Sequence, residues 1–138
     1  MTDPVLVLSK RLKDKGYSVT NPRLVTFDVL SNSKQPLTMQ DLIRRTKKQI
    51  DRASVYRTIE IFEDSGVTQR IYSGWKYKIE LSDIFQEHHH HFTCENCGLV
   101  IPIHDQQIEQ IIERLSSDNK FKLSTHQLEV QGLCEKCQ

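Results

Sequence analysis

No run of apolar residues in this chain of 138 residues approaches the roughly 18 needed to span a bilayer. The first residues mix charges among apolar positions and lack a signal-peptide cleavage pattern. Aromatic residues are scarce, at 7% of the chain, so one large core is not expected to serve the whole length. We therefore expect a cytoplasmic protein without membrane contact, made of two small domains.

Cysteine is absent outside two C-x-x-C pairs, which consist of Cys94 with Cys97 and Cys134 with Cys137. A secreted disulfide framework would need a secretory context, which the sequence does not indicate. In a reducing compartment, paired C-x-x-C motifs favour zinc, and four thiolates saturate its tetrahedral coordination in a structural site. Such a site supplies roughly 10–16 kcal/mol in model peptides. The alternative is a set of unpaired or redox-active thiols.

Charge is divided unevenly along the chain. Residues 1–80 carry 15 Lys/Arg against 9 Asp/Glu, a net charge of +6, whereas residues 81–138 carry 4 against 9, a net charge of −5. A basic first half is suited to a polyanion and an acidic, His- and Cys-rich second half is suited to cations.

Apolar residues in the first half recur at helical spacing in four segments, at residues 4–16, 20–33, 37–48 and 51–66. Thr20 is expected to cap the second helix, Thr38 and Asp41 form a capping box for the third, and Asp51 is expected to cap the fourth. The third and fourth helices are predicted to be joined by the short connector Gln-Ile-Asp at residues 49–51. Residues 67–81 alternate around Ser73-Gly74 as a hairpin, which completes the outline of a winged helix-turn-helix.

The second half predicts an α/β arrangement, so that the fold class of the whole chain is α+β. The segments HHFTC and LVIPI read as short strands beside the first cysteine pair, and residues 105–118 read as a helix. Residues 120–133 are predicted to form a strand, although their alternation is imperfect.

Four consecutive histidines occupy residues 88–91, and two residues separate them from the first C-x-x-C motif. In an extended segment, alternate side chains point to opposite faces. His88 and His90 are then expected on one face and His89 and His91 on the other, so the run can serve two metal sites. Further donors are available upstream and downstream: Glu80, Asp83, Glu87, Glu109 and His126.

The fourth helix carries polar side chains off its apolar face, near its N-terminus: Arg52, Ser54, Tyr56 and Arg57. Such residues can contact base edges and phosphates in a major groove. Basic residues before this helix and on the hairpin, among them Arg70, Lys76 and Lys78, are expected to position the DNA backbone. A solvated basic face is the plainer alternative.

The segments SVYRTIEIFEDSGV, HHHHFTCENCG and CEKC together resemble the ferric uptake regulator superfamily of bacterial metalloregulators. The resemblance runs from about Thr20 to Cys137. It implies a winged-helix DNA-binding domain at residues 1–80, a hinge at 81–87 and a dimerisation and metal-binding domain at 88–138. It also implies a homodimer that binds palindromic double-stranded operators when loaded with metal, usually as a repressor, and no small organic ligand.

The resemblance assigns roles to individual residues. It implies a structural zinc site, a regulatory site between the domains and an additional site in the dimerisation domain. The structural zinc site would consist of Cys94, Cys97, Cys134 and Cys137. The regulatory site would consist of Glu80, His89 and His91. The additional site would consist of His88, His90, Glu109 and His126. The residues expected to contact DNA, from the fourth helix and the basic charges of the first half rather than from the resemblance, are Arg23, Arg52, Ser54, Tyr56, Arg57, Arg70 and Lys76.

The chain also departs from the family pattern. Pro36 lies in the segment where the ferric and peroxide types supply a histidine ligand, and the segment from Glu80 to His88 is longer than usual. Asp83 or Glu87 is therefore an alternative to Glu80. The histidine run favours zinc, whereas a glutamate ligand suits iron(II) or manganese(II).

Three other functions compete with that of a metal-dependent regulator. A zinc enzyme would use an open coordination position to activate water, but no H-E-x-x-H motif is present and the DNA-binding half would have no role. A peroxide-sensing iron repressor is compatible with the donors, although Pro36 stands where that branch supplies a histidine. The third is a DNA-binding protein with structural zinc alone.

Overall fold

A computed structural model describes residues 2–138, which separate into two compact units, residues 2–87 and residues 88–138. The first unit contains α1 (Pro4–Asp14), α2 (Asn21–Ser31), α3 (Met39–Thr46), α4 (Arg52–Asp64), β1 (Thr68–Ser73) and β2 (Lys76–Leu81). The second contains β3 (His90–Cys94), β4 (Val100–Ile103), α5 (Gln106–Asp118), β5 (Glu129–Gly132) and a 3₁₀ turn (Glu135–Cys137). Within residues 2–138, no helix is both long and apolar enough to cross a membrane.

The first unit is built around one apolar core to which every helix and the hairpin contribute. Leu12 from α1, Leu42 from α3, Phe62 from α4 and Ile79 from β2 are fully buried within it. The helices present these residues at three- and four-residue intervals, which places them on one face of each helix. The winged helix-turn-helix predicted from the sequence is thereby confirmed.

Helix caps fix the two helices of the helix-turn-helix. The Thr38 side chain accepts a hydrogen bond from the Asp41 backbone N–H, and the Asp41 carboxylate accepts one from the Thr38 N–H. Asp51 caps α4 by accepting from the Ser54 N–H at 2.8 Å. Thr20 occupies the N-cap position of α2, but its side chain makes no capping hydrogen bond there.

The connector between α3 and α4 is longer than predicted. It spans residues 47–51 and not only residues 49–51, because α3 ends at Thr46. The Gln49 and Ile50 N–H groups both turn back to the Thr46 carbonyl, and Ile50 is buried. The turn therefore contains Lys47 and Lys48, which the sequence pattern had placed in the third helix.

The wing is an antiparallel hairpin whose register runs from Thr68 opposite Leu81 to Ser73 opposite Lys76. Gly74 has φ +63°, a conformation that glycine adopts without steric cost, and it forms the turn with Trp75. Two hydrogen bonds between the Leu37 and Ile79 backbones, 2.8 and 2.7 Å long, join β2 to the segment before α3. The wing is therefore fixed to the helix-turn-helix.

Residues that follow β2 pack on the first unit. The Ser82 hydroxyl donates to the Gly66 carbonyl at 2.7 Å, and Gln86 donates to the Leu81 carbonyl. The Phe85 ring meets the edge of Phe27 with ring centroids 5.0 Å apart. The chain is thus held to the first unit as far as Gln86.

The second unit contains a sheet in the order β4-β3-β5, with β3 antiparallel to β4 and parallel to β5. The strand predicted over residues 120–133 was wrong for most of its length, because only Glu129–Gly132 is extended in the ladder. Its partner β3 begins at His90, so β5 pairs only from Glu129 opposite His91 onward. Residues 121–128 have no ladder partner and form an irregular segment.

An apolar row crosses this sheet. Phe92 on β3 is paired with Ile101 on β4 and with Val130 on β5. All three side chains are substantially exposed, by 49%, 46% and 39% respectively. They line a concavity of about 210 Å³ together with Leu99 and Leu133. We call Ile101, Phe92 and Val130 the apolar row. The described part of this single chain, residues 2–138, leaves this surface uncovered.

Candidate metal centres and nucleic-acid interface

The four cysteines converge at one end of the second unit, with their sulfur atoms all within 4.8 Å of one another. Cys94 ends β3, and Cys134 precedes the 3₁₀ turn that carries Cys137. Cys97 Sγ and Cys134 Sγ lie 3.8 Å apart. A tetrahedral zinc with Zn–S bonds of about 2.3 Å places its sulfur atoms roughly 3.8 Å from each other, so the spacing fits a structural zinc.

Electrostatics within the cysteine cluster also favour a cation. The Cys134 backbone N–H donates to Cys94 Sγ at 3.4 Å, and this and further backbone N–H groups lower the pKa of Cys94 to about 6. For Cys137, a hydrogen bond from Asn96 lowers the pKa, but the neighbouring thiols outweigh it and raise the pKa to about 11. Four thiolates are therefore not stable together without a positive ion between them.

The histidine run is divided between two faces, as its alternation predicts. The His88 and His90 ring centroids are 4.9 Å apart, and the His89 and His91 centroids are 4.6 Å apart. Although β3 itself begins at His90, alternate rings along the whole run meet on the same side, as expected for an extended segment.

On one face, His88 and His90 meet Glu109 from α5 and His126 from the irregular segment before β5. His90 Nε2 lies 2.7 Å from Glu109 Oε1, and His126 Nε2 lies 2.9 Å from Glu109 Oε2. Burial would raise the pKa of Glu109, but the hydrogen bond with His90 and the nearby imidazoles lower it. Three imidazoles and one carboxylate within 4.8 Å form a donor set suited to zinc or to another divalent transition metal.

On the other face, His91 is almost fully buried, and its Nδ1 atom lies 3.1 Å from Glu129 Oε1. His89 lies beside it, and the ring of His104, one residue beyond the end of β4, has its centroid 5.5 Å from that of His89. Carboxylate contact at Nδ1 is the usual arrangement behind a histidine that binds metal through Nε2.

The carboxylates predicted near the domain boundary belong to the first unit. Glu80 lies on β2, where its Oε1 accepts a hydrogen bond from Gln69 Nε2 at 2.8 Å. Asp83 and Glu87 are exposed in the segment after β2.

The exposed face of α4 carries Arg52, Tyr56 and Arg57, while Val55 and Ile59 are buried. The Arg52 guanidinium lies 5.6 Å from the centre of the Tyr56 ring. Ser54 is half-buried, and its hydroxyl and backbone N–H both contact Asp51. The structure thus presents three of the four predicted recognition residues to solvent and uses the fourth partly in the helix cap.

The other predicted DNA contacts differ in their surroundings. Arg23 lines a concavity of about 150 Å³ with Thr20, Ser54 and Arg57. Lys76 lies at the wing turn, with its ammonium 5.4 Å from the ring centre of Trp75, a side chain that is 87% exposed.

Arg70 has a structural contact that the sequence did not reveal. Its guanidinium makes two hydrogen bonds to Glu63 of α4, 2.5 and 2.9 Å long, and stacks 4.1 Å above the Tyr77 ring. These contacts raise the pKa of Arg70. They brace the wing against α4 and neutralise much of the charge that Arg70 would offer to phosphate.

Sequence reasoning missed Glu129, Thr20 and His104 as members of these surroundings. Glu129 follows no motif, and its place behind His91 depends on the parallel pairing of β3 with β5. Thr20 was interpreted only as a helix cap. His104 could have been found by extending the antiparallel register of β3 and β4 beyond the strand ends.

A winged helix-turn-helix with an exposed basic recognition helix, followed by an α/β unit with a tetrathiol cluster and grouped imidazoles, defines a metal-binding DNA-binding protein. The sequence profile of the ferric uptake regulator family matches residues 14–131. This chain belongs to that family.

Named relatives support this membership. The chain is 35% identical over 132 residues to the ferric uptake regulation protein of Yersinia pestis, with 92% of this chain and 88% of the relative covered. Its structure is similar to that of the Vibrio cholerae ferric uptake regulator, with a TM-score of 0.76, 31% identity, and 92% and 99% of the two chains covered. A zinc-bound manganese uptake regulator is similar with a TM-score of 0.69, 30% identity, and 92% and 98% covered.

The chain is therefore a metal-responsive, DNA-binding transcriptional regulator and not an enzyme. Members of its family bind DNA and act as dimers.

Proposed function

We propose that this chain is a cytoplasmic, homodimeric repressor that binds a palindromic operator when a divalent metal occupies the site based on His89 and His91. The observation that carries the proposal is the contact of His91 Nδ1 with Glu129 Oε1 at 3.1 Å. A carboxylate accepts a hydrogen bond and cannot donate one when ionised, so the proton of a neutral His91 resides on Nδ1. In that tautomer Nε2 carries the lone pair that would bind a metal.

The proposed sites differ in what they contribute. Cys94, Cys97, Cys134 and Cys137 would hold a structural zinc, as their spacing and charge balance favour. The cluster of His88, His90, Glu109 and His126 would hold an additional metal. In each site the bound cation would supply a crosslink between segments of the chain through its coordination bonds.

In the regulatory site, Glu80 would be the third donor, and residues 81–87 would form the hinge between domains 1–80 and 88–138. Asp83 and Glu87 are the alternatives to Glu80. Packing of Phe85 on Phe27 supports a hinge whose movement is limited to its last residues. Metal binding that favours the DNA-competent arrangement by 1–3 kcal/mol, a typical coupling, would raise DNA affinity by about 5- to 150-fold.

Zinc, iron(II) and manganese(II) are the candidate regulatory metals. The imidazole-rich surroundings of His89 and His91 favour zinc, since imidazole suits zinc and carboxylate suits manganese. One similar protein is a zinc-bound manganese uptake regulator, which supports zinc and manganese as candidates. No small organic ligand is included in the proposal.

DNA would be contacted by the exposed residues of α4 and by positively charged residues around them. The proposed set is Arg23, Arg52, Ser54, Tyr56, Arg57, Arg70 and Lys76. Arg52, Tyr56 and Arg57 are the members most open to a major groove, since they project from the first turns of a helix whose opposite face is buried. Arg70 is assigned mainly to bracing the wing.

A DNA-binding titration tests the proposal. An operator selected from random duplexes would be bound at fixed salt with zinc, iron(II) or manganese(II), and the wild-type protein would be compared with His89→Ala/His91→Ala. Gln106→Ala, an exposed position on α5, is the control. We expect one metal to strengthen binding by the wild-type protein and the control only. Binding by the double variant that remains metal-responsive and equal to wild type would exclude the scheme.

A further inference from the structure

His104 stands opposite His89 across the sheet, one residue beyond the end of β4. The register pairs His90 with Ile103 and His91 with Pro102, so each step back along β3 is a step forward along β4. Continuing this register by one step pairs His89 with His104. Directly opposite residues on antiparallel strands bring their side chains within contact distance. Their ring centroids are indeed 5.5 Å apart, with the planes inclined by 34°.

We propose that His104 is a third imidazole ligand of the regulatory metal, together with His89 and His91. This inference rests on the proposed function, because it adds a donor to the site on which that function depends. It supplies a donor from within the second unit itself.

The two ring spacings that involve His89 fit one shared ion, toward which the exposed ring of His104 would turn to present a nitrogen. With Zn–N bonds of about 2.0–2.1 Å and tetrahedral angles, imidazole ring centres lie roughly 5 Å apart around a zinc ion. The His89–His91 and His89–His104 centroid distances, 4.6 and 5.5 Å, lie on either side of that value. In the other cluster, the rings of His88, His90 and His126 are 4.7–5.2 Å apart, which is the same range.

Strand alternation also places the donors on one face. Pro102 lies opposite His91 and has no side-chain donor atom, so β4 itself offers nothing there. His104 is two residues further along and shares the face of Pro102. It lies in the exposed connection between β4 and the Asp105 cap of α5, where its ring has room to adjust toward the ion. Three imidazoles would give the site a preference for zinc over manganese.

A simple cross-strand pair of histidines is the competing explanation, and metal affinity distinguishes the two. The full-length protein would carry His126→Ala to disable the additional site and would retain zinc in its cysteine cluster. Zinc binding would be measured by competition with a chelator for this protein and for versions with His104→Ala, Gln106→Ala or His89→Ala/His91→Ala. Both His104 and Gln106 are exposed, so neither substitution threatens folding.

We expect His104→Ala to weaken zinc binding by about tenfold or more, since even contacts behind the ligands contribute 10- to 100-fold. Gln106→Ala should bind like its parent. A His104→Ala affinity within about threefold of the parent, with binding lost in the double variant, would overturn the role of His104 and leave the proposed function intact. Retention of full affinity by the double variant would instead overturn the regulatory site itself.

A spectroscopic variant gives a direct readout. His104→Cys should add a thiolate-to-metal charge-transfer band when one equivalent of cobalt(II) is bound, because a coordinating thiol is deprotonated by the metal. The same band should be missing from Gln106→Cys. Identical cobalt spectra for His104→Cys and its parent would count against coordination at this position.

Discussion

The Nδ1 atom of His91 lies 3.1 Å from Oε1 of Glu129, across the parallel pairing of β3 with β5. This contact orients the imidazole and fixes its tautomer. It also makes the ring a better electron donor, because the nearby carboxylate stabilises positive charge on it. Glu129 would therefore act on a metal through His91, as a positioning residue of the proposed regulatory site.

Replacing Glu129 with glutamine should weaken metal binding at this site by about 10- to 100-fold. The amide keeps the size of the side chain but removes its charge. Chelator competition would measure the affinity, with Glu135→Gln, an exposed site in the 3₁₀ turn, as the control. An unchanged affinity combined with the unchanged pH dependence of metal binding would show that Glu129 has only a structural role.

Loss of the cysteine cluster should lower the stability of the second unit more than that of the first. Cys134→Ser is expected to remove one zinc per chain in elemental analysis and to lower the thermal stability of residues 88–138. The reason is that this unit has few fully buried apolar residues, Val100 among them, whereas the core of the first unit is extensive. Metal then supplies part of the folding free energy of the second unit.

Hydrogen exchange would locate that effect. Protection should be lost along β3 and β5 in Cys134→Ser and in chelator-treated wild type, while α4 and the wing keep theirs. Glu135→Ala, next in sequence, should behave like wild type. Uniform loss of protection in both units would contradict the expected independence of the first core.

The first unit was largely predictable from sequence because its signals are local. The capping box of Thr38 and Asp41 and the cap at Asp51 are set by residues within three positions of each other. The hairpin is marked by Gly74 at its turn. These features do not depend on distant partners, so helical periodicity and turn chemistry were sufficient.

Less of the second unit was predictable, because its contacts join distant residues. The extent of β5 depends on where β3 begins, and the contact of His91 with Glu129 joins residues 38 positions apart. The division of the histidine run between two faces followed from strand alternation alone. Which partners meet each face, such as His104 or Glu129, depends on the sheet register, which the amino-acid pattern does not encode locally.

Arg57 should contribute DNA affinity mainly through charge. It is exposed on α4 beside Arg23 and Thr20 in the shallow concavity of the first unit. If its partner is a phosphate, Arg57→Ala should weaken binding to all duplexes similarly. It should also reduce the slope of log affinity against log salt concentration by about one. Fluorescence anisotropy over a range of salt concentrations would measure both quantities.

Arg114→Ala removes an equal charge from the exposed surface of α5 and is the matched control. Its affinity and salt slope should equal those of wild type. A loss by Arg57→Ala that is confined to one operator position would instead indicate a base contact.

The Asp41 carboxylate should make the helix-turn-helix sensitive to acid. Burial would raise its pKa, but hydrogen bonds from Thr38 and Arg44 outweigh it and lower the pKa. A lowered folded-state pKa means that the ionised group stabilises the fold above its unfolded pKa of about 3.9, and that this stability is lost as pH falls through the folded value. Asp41→Ala should cost about 1 kcal/mol near neutral pH.

Urea unfolding followed by far-ultraviolet circular dichroism would test this dependence. The stability difference between wild type and Asp41→Ala should begin to shrink as pH falls below about 4, near the unfolded pKa, and should be lost once pH falls below the lowered folded-state pKa, where the Asp41 carboxyl is protonated. Asp28→Ala, a change on α2, is the comparison. A difference that stays constant down to the lowest accessible pH would show that the ionised carboxylate is not the stabilising species.

The apolar row Ile101–Phe92–Val130 should be covered in the dimer that is typical of the family. Phe92 lies at its centre, paired on both sides, and is half exposed in the single chain. Placing a charge there would require that charge to be buried on association, which is strongly unfavourable without a partner. Phe92→Glu should therefore yield a monomer that keeps its zinc, as measured by sedimentation and elemental analysis.

The matched control is Gln110→Glu, which adds the same charge at an exposed site on α5. It should remain dimeric. If the proposed palindromic operator is bound by two linked winged helices, the monomeric variant should also lose affinity for a palindrome far more than for a half-site. A Phe92→Glu dimer with wild-type affinity would mean that a different surface joins the two copies and that the apolar row has another use.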